Sequence, residues 1–159
     1  MYNEKMYNER KRILADLQLD TGVRCLFLFS QEGYLIDEAG DTSNLDTEAI
    51  GALIAAEFAA AASLATLIGN KLTFTSNYHE GPDYSMYVHG VRDKGLLVAI
   101  YDTNSNLGTV RYYTNKTIND LEQLVSTGIL PPLDQFSDKT DLEHAMNSRI
   151  EQLFGLVEQ

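Results

Sequence analysis

The residue types that most often carry chemistry are few in this chain and form no recognisable site. His79, His89 and His144 lie in different predicted elements, and their spacing matches no metal-ligand pattern. Cys25 lies in the middle of a predicted strand with no neighbouring base in sequence, which favours a small core residue over a nucleophile. Asp102 ends a predicted strand, where we expect it to help cap the next helix. We therefore predict no catalytic residue, no metal site and no cofactor.

Composition and charge exclude several further classes of function. The chain has no Gly-Lys-Ser/Thr loop to hold nucleotide phosphates, so we do not expect it to bind GTP itself. A net charge of −11 argues against binding to nucleic acid or to an anionic membrane. A single cysteine permits no intramolecular disulfide, and the first residues lack the apolar segment of a secretory signal. These features predict a cytoplasmic protein.

The most informative stretch is residues 46–69, whose length and lack of proline predict a helix of about six turns. Asp46 or Thr47 is expected to cap its start, and Gly69 to end it. After the first turn the stretch carries one charged residue, Glu57. A carboxylate at the centre of an alanine-rich helix argues against a membrane span.

This predicted helix has two apolar sides of different size. We expect the bulky side to pack on the sheet of its own subunit: Ile50, Leu53, Ile54, Phe58, Leu64, Leu67 and Ile68. The other side is small and almost uncharged: Gly51, Ala52, Ala55, Ala56, Ala59, Ala62, Ser63 and Thr66. A solvent-facing side would normally carry Lys and Glu, so the small side predicts contact with another backbone. Burial of the small side inside a monomer is the alternative.

The remaining patterns predict an α+β fold in which helices pack over a five-stranded antiparallel sheet. Helical periodicity or strand-forming residues occupy, in order, residues 3–18, 23–30, 34–39, 71–78, 84–91, 96–101 and 107–125. The apolar run at 96–101 is expected near the centre of the sheet. The inner stripes expected for the first and last of these helices are Met6, Arg10, Ile13, Leu14 and Leu17, and Leu107, Val110, Thr114, Ile118, Leu121 and Leu124 or Val125. We assign residues 1–127 to this domain and residues 128–136, with tandem prolines, to a linker. Residues 137–159 are predicted to form an amphipathic helix with the apolar stripe Leu142, Met146, Ile150, Leu153 and Val157.

The order α-ββ-α-βββ-α, with an alanine-rich second helix, resembles the roadblock domain family. The run from Ile100 to Arg111 looks like the family's junction between the last strand and the last helix of the domain. Within the family the chain is most similar to the bacterial MglB type. It shares the acidic Leu45-Asp46-Thr47 start, the small-residue helix and the Pro131-Pro132 linker before an extra helix. The resemblance covers about residues 5–155.

This resemblance implies a homodimer in which two sheets join edge to edge and the second helices lie side by side. It also implies that the dimer binds a Ras-like small GTPase of the MglA type, with roles in bacterial cell polarity and motility. The GTPase would contact the small side of the helix at Ala52, Ala55, Ala56, Ala59, Ala62, Ser63 and Thr66. The C-terminal helix would either contact the GTPase a second time, through Leu142, Met146, Ile150 and Leu153, or fold back on its own domain.

The small side contains no Arg, Lys, Gln or Asn, so this helix supplies no arginine finger. If the dimer accelerates GTP hydrolysis, we expect it to do so by positioning the GTPase's own catalytic residues. Arg24 and Arg111 remain possible donors from other elements. Two other functions stay open at this point. One is a scaffold dimer that recruits a GTPase or a signalling protein without changing hydrolysis, and the other is a small-molecule sensor.

Overall fold

The computed structural model describes residues 2–69 and 74–125 of the chain. Its elements are α1 (Tyr2–Thr21), β1 (Cys25–Phe29), β2 (Leu35–Gly40), α2 (Thr47–Ile68), β3 (Ser76–Glu80), β4 (Ser85–Val91), β5 (Gly95–Tyr101) and α3 (Leu107–Val125). The predicted α+β fold and its element order are confirmed. The start of the predicted strand at 71–78, the linker at 128–136 and the helix at 137–159 lie outside the described residues.

The five strands form one antiparallel sheet in the order β2-β1-β5-β4-β3. The apolar run of β5 lies at its centre, as predicted, since a strand covered on both faces needs apolar residues throughout. A register shift at Leu28/Phe29 interrupts the pairing of β1 with the edge strand β2. The other edge strand, β3, pairs with β4 in unbroken register.

Helices cover both faces of the sheet. Alternation along β1 sends Leu26 and Leu28 into the core shared with α1 and α3. Phe27 and Phe29 point to the opposite face, where they meet Ile54 of α2. Most of the inner stripes predicted for α1 and α3 is buried: Ile13, Leu14 and Leu17 in α1, and Val110, Thr114, Leu121 and Val125 in α3. Four other members are half-buried: Met6, Leu107, Ile118 and Leu124. The fold therefore has three layers: α1 and α3 on one face, the five-stranded sheet, and α2 on the other face.

A buried ion pair fastens α1 to the edge strand β2. Arg10 Nε lies 3.2 Å from Asp37 Oδ2, and both side chains are only 3% exposed. Lys11 Nζ, nearer to solvent, approaches Asp37 Oδ1 at 2.9 Å. Arg10 belongs to the inner stripe predicted for the first helix, and the ion pair explains how a guanidinium is tolerated there. An inward-pointing charge of this kind also discourages an edge strand from pairing with another sheet.

Candidate functional site

Helix α2 is capped as its sequence predicts. Asp46 Oδ1 accepts a hydrogen bond from the Ala49 amide at 3.1 Å, which satisfies one of the free N–H groups of the first turn. The helix ends at Ile68, and the Gly69 amide donates to the Ala65 carbonyl at 3.0 Å. Gly69 has extended backbone angles, so it terminates the helix without adopting a left-handed conformation.

The first turns of α2 lie against the turn between β1 and β2. Gly51 is buried, and a Cβ atom on it would meet the Gly33 carbonyl group and, at 2.8 Å, the Phe29 ring. Gly33 has φ +95, a value that side-chain-bearing residues rarely adopt. The prediction that Gly51 belongs to the outward small side is therefore wrong. Two glycines allow the helix and the turn to approach this closely.

This close approach rotates α2 relative to the sequence-based prediction. Ile54 and Ala65 are buried and Phe58 is half-buried, but four other residues of the bulky side are exposed. Their exposed fractions are 70% for Leu53, 57% for Leu64, 84% for Leu67 and 68% for Ile68. The prediction that the whole bulky side covers the subunit's own sheet is wrong, because the contact is centred on the arc of Gly51, Ile54 and Ala65. We call the four exposed residues the α2 ridge.

The small residues predicted as the partner-binding site lie beside this ridge. Ala52, Ala56, Ala59, Ala62, Ser63 and Thr66 are exposed, whereas Ala55 is half-buried against the core that contains Phe27, Phe29 and Ile54. The two hydroxyl groups donate within the helix, from Ser63 Oγ to the Ala59 carbonyl at 3.3 Å and from Thr66 Oγ1 to the Ala62 carbonyl at 3.1 Å. Ridge and small residues together give α2 a largely apolar outer surface, which the partly exposed Glu57 interrupts on the ridge side.

Within the described part of the chain, α2 is the one helix long and apolar enough to cross a membrane by length and composition. Helices that pack within folded domains can meet the same criteria. Here the helix rests on the sheet through Ile54, Phe58 and Ala65 and presents the rest of its surface outward. An outward surface on which large apolar side chains are mostly exposed indicates a site of interaction.

Glu57, which sequence reasoning left without a partner, connects α2 to the edge strand β3. Its Oε1 atom accepts a hydrogen bond from Asn77 Nδ2 at 3.3 Å and lies 2.5 Å from His79 Nε2. The carboxylate is 38% exposed, so it lies at the margin of the helix–sheet contact. No local sequence signal indicates this pairing, because its partners follow 20 and 22 residues later.

The other candidate residues, His89, Cys25 and Asp102, are buried or make contacts that stabilise the fold. Burial lowers the pKa of His89, whose Nδ1 lies 2.8 Å from the Gly90 carbonyl. Burial raises the pKa of the Cys25 thiol to about 11, which makes it a poor nucleophile near neutral pH. Asp102 Oδ1 accepts from the Asn104 amide at 2.8 Å and so shapes the turn that leads into α3. Among residues 2–69 and 74–125, no three His, Cys, Asp or Glu side chains are grouped to hold a metal ion.

Neither arginine considered as a donor lies on α2. Arg24 donates from Nη2 to the Ser43 carbonyl at 2.8 Å and from Nε to the Asp41 carbonyl at 3.3 Å. Arg111 is exposed on α3, which packs on the opposite face of the sheet. The outer surface of α2 is therefore suited to binding another protein and lacks cationic groups.

The sequence and the fold are similar to those of known proteins. The family model of the Roadblock/LC7 domain matches residues 10–101. Myxococcus xanthus MglB is 33% identical, with a TM-score of 0.70, over 75% of this chain and 96% of that one. The gliding protein mglB of Thermus thermophilus is 22% identical, with a TM-score of 0.70, over 76% of this chain and 91% of that one.

A search of functionally curated proteins found no match. An MglB with a tetrameric arrangement is 22% identical, with a TM-score of 0.72, over 78% of this chain and 93% of that one. At 22% identity such similarity shows the fold alone, whereas the family model spans more than half of this chain. The chain belongs to the Roadblock/LC7 domain family, with a fold like that of MglB.

Proposed function

We propose that this protein is a homodimeric, cytoplasmic regulator of a Ras-like small GTPase, which it binds across two paired copies of α2. The observation that carries the proposal is the largely apolar outer surface of α2, which carries no cation, in a chain of net charge −11. Exposed apolar patches of this kind mark protein–protein interfaces. The 33% identity to Myxococcus xanthus MglB and the resemblance to the MglB type support a GTPase of the MglA class as partner.

The outer surface of α2 divides naturally between two partners. At about 100° per residue the α2 ridge and the small residues lie on adjoining arcs of the helix. We assign the ridge to the twin helix of the dimer. Burial of each leucine stabilises the dimer by about 1.5–3 kcal/mol, which helps to offset the free-energy cost of association. The small residues, centred on Ala52, Ala59 and Ser63, are assigned to the GTPase, whose loops then approach the helix backbone closely.

Edge-to-edge joining of the two sheets is assigned to β3. The opposite edge strand, β2, carries the register shift and the buried Asp37, both of which disfavour pairing with another strand. Strand β3 ends the sheet on its other side and keeps an even register from Ser76 to Glu80. Because α2 is tied to this strand through Glu57, pairing two β3 strands also brings the two α2 helices together.

The proposed mechanism is positioning of the GTPase's own catalytic groups. Helix α2 contains no Arg or Lys, and its Ser63 and Thr66 hydroxyls already donate to backbone carbonyls. It therefore offers no cation for the developing charge of the transition state. Contact with the mobile loops of the GTPase would instead favour their catalytic arrangement, so the protein acts as a regulator rather than as an enzyme.

The test is Ala59→Arg, which places a long cation in the centre of the small surface without touching the ridge. We expect affinity for a cognate GTPase to fall by about 30-fold or more, since a disrupted interface centre typically costs at least about 2 kcal/mol. Ala15→Arg, at an exposed alanine on α1, is the matched control and should leave affinity unchanged. Both variants should remain dimers by light scattering. Binding that survives Ala59→Arg contradicts the proposed surface.

A scaffold that recruits the GTPase without changing hydrolysis is the second candidate, favoured by the lack of any cation on α2. Single-turnover GTP hydrolysis, measured with and without the protein, separates the two functions. Acceleration that saturates with added protein supports the regulator. Binding with an unchanged rate supports the scaffold.

A further inference from the structure

A groove of about 400 Å³ opens where α2, β4 and α3 meet at one end of the sheet, away from the α2 ridge. Its apolar lining comes from Phe58 of α2, Phe74 ahead of β3 and Ile118 of α3. The Phe58 ring lies over Gly90, where a Cβ atom would come within 3.3 Å of it. The absence of a side chain on Gly90 therefore lets an aromatic ring form part of the groove.

Polar groups surround this apolar lining. Asn119 of α3, His89 of β4, Gln31 and Arg92 also line the groove. Arg92 Nε lies 2.9 Å from Glu122 Oε2, so an ion pair links two of the residues that line the groove. Gln31 Nε2 already donates to the Arg92 carbonyl at 3.4 Å, and His89 Nδ1 lies 2.8 Å from the Gly90 carbonyl. The Asn119 amide beside an apolar, aromatic lining suits an extended peptide, whose carbonyl groups need donors that it cannot supply itself.

The described chain ends beside this groove. Glu122 lines the groove, and α3 ends at Val125, less than one turn later. The next residues are Ser-Thr-Gly and then Ile129-Leu-Pro-Pro-Leu133. Ile129 follows Val125 by four residues, a span of at most about 14 Å in an extended chain. Residues 129–133 are therefore within reach of the groove of their own subunit.

We propose that residues 129–133 dock in this groove of the same subunit. Tandem prolines favour the polyproline II conformation, and segments of this type bind grooves lined by aromatic rings because little entropy is lost on binding. Phe58 and Phe74 supply those rings, and Ile129, Leu130 and Leu133 supply the apolar side chains.

The test is disulfide formation in the full-length protein carrying Ala62→Cys and Leu130→Cys. The native Cys25 is fully buried with a raised pKa and should not compete. The control pair combines Leu130→Cys with Leu19→Cys, since Leu19 is exposed beside β2 at the opposite edge of the sheet. We expect an intrachain disulfide to form at least about tenfold faster in the first pair, because docking raises the effective concentration of the two thiols.

Adding Phe74→Ala distinguishes docking from mere nearness along the chain. Phe74 is 43% exposed, so its removal should leave the fold intact, and the rate should fall to that of the control pair. A rate unchanged by Phe74→Ala overturns the proposal. Equal rates for the two pairs also overturn it, as does a disulfide formed only between chains, which would show that the groove accepts a second copy instead. None of these outcomes depends on GTPase binding, so the proposed function is tested separately.

Discussion

Replacing Gly51 by alanine sets two physical effects against each other. On helix propensity alone, Gly→Ala inside a helix stabilises a protein by about 1 kcal/mol. In this fold the added methyl group would overlap the Gly33 carbonyl and approach the Phe29 ring at 2.8 Å. Overpacking of a well-filled contact costs about 1–3 kcal/mol, and a backbone carbonyl in a tight turn has little freedom to move. Since the overlap is with backbone atoms, we place the steric cost in the upper part of that range, at about 2–3 kcal/mol, and expect a net loss of roughly 1–2 kcal/mol.

Urea unfolding, followed by circular dichroism at fixed protein concentration, measures this loss. The control is Gly108→Ala in the first turn of α3, where a Cβ atom would meet only the Asn106 side chain, at 3.3 Å. Its free energy of unfolding should change by less than about 1 kcal/mol in either direction. A Gly51→Ala variant as stable as the wild type, or more stable, refutes the close approach of α2 to the β1–β2 turn.

Three further results follow from the same structure. Asp37→Ala should cost about 3–5 kcal/mol in urea unfolding, because Arg10 is left buried without its carboxylate; a loss below about 1 kcal/mol contradicts that burial. Leu67→Asp should convert the proposed dimer to monomer in light scattering at micromolar concentration, and an unchanged dimer contradicts the role of the α2 ridge. The stability of the wild type should fall between about pH 9 and 11 relative to Cys25→Ala, because the unfolded thiol ionises at lower pH than the buried one. Parallel pH profiles for these two proteins would contradict the raised pKa.

Local patterns predicted the parts of the fold that are determined within single elements. Most of the periodic apolar residues of α1 and α3 are buried as expected, and the apolar run of β5 lies at the centre of the sheet. Asp46 caps α2 as its position before a helical run indicates. These signals are strong because each is contained within one element.

The orientation of α2 depends on a contact between distant residues and was predicted incorrectly. Gly51 meets Gly33, 18 positions earlier in the sequence, and this contact, not the size of the side chains, decides which arc of the helix faces the sheet. The partners of Glu57 likewise cannot be predicted from the neighbouring sequence, since Asn77 and His79 contact it only when β3 is part of the sheet. The small residues proposed to bind the GTPase stay a prediction, although six of the seven are exposed.

The central claim is that the outer surface of α2 activates a Ras-like GTPase by positioning its catalytic loops. The most direct measurement is the rate of GTP hydrolysis by an MglA-type GTPase during titration with this protein. We predict a rise that saturates at one GTPase per two chains, is abolished by Ala59→Arg and is retained in Ala15→Arg. Acceleration that persists in Ala59→Arg would contradict the account, as would a lack of binding by the wild-type protein.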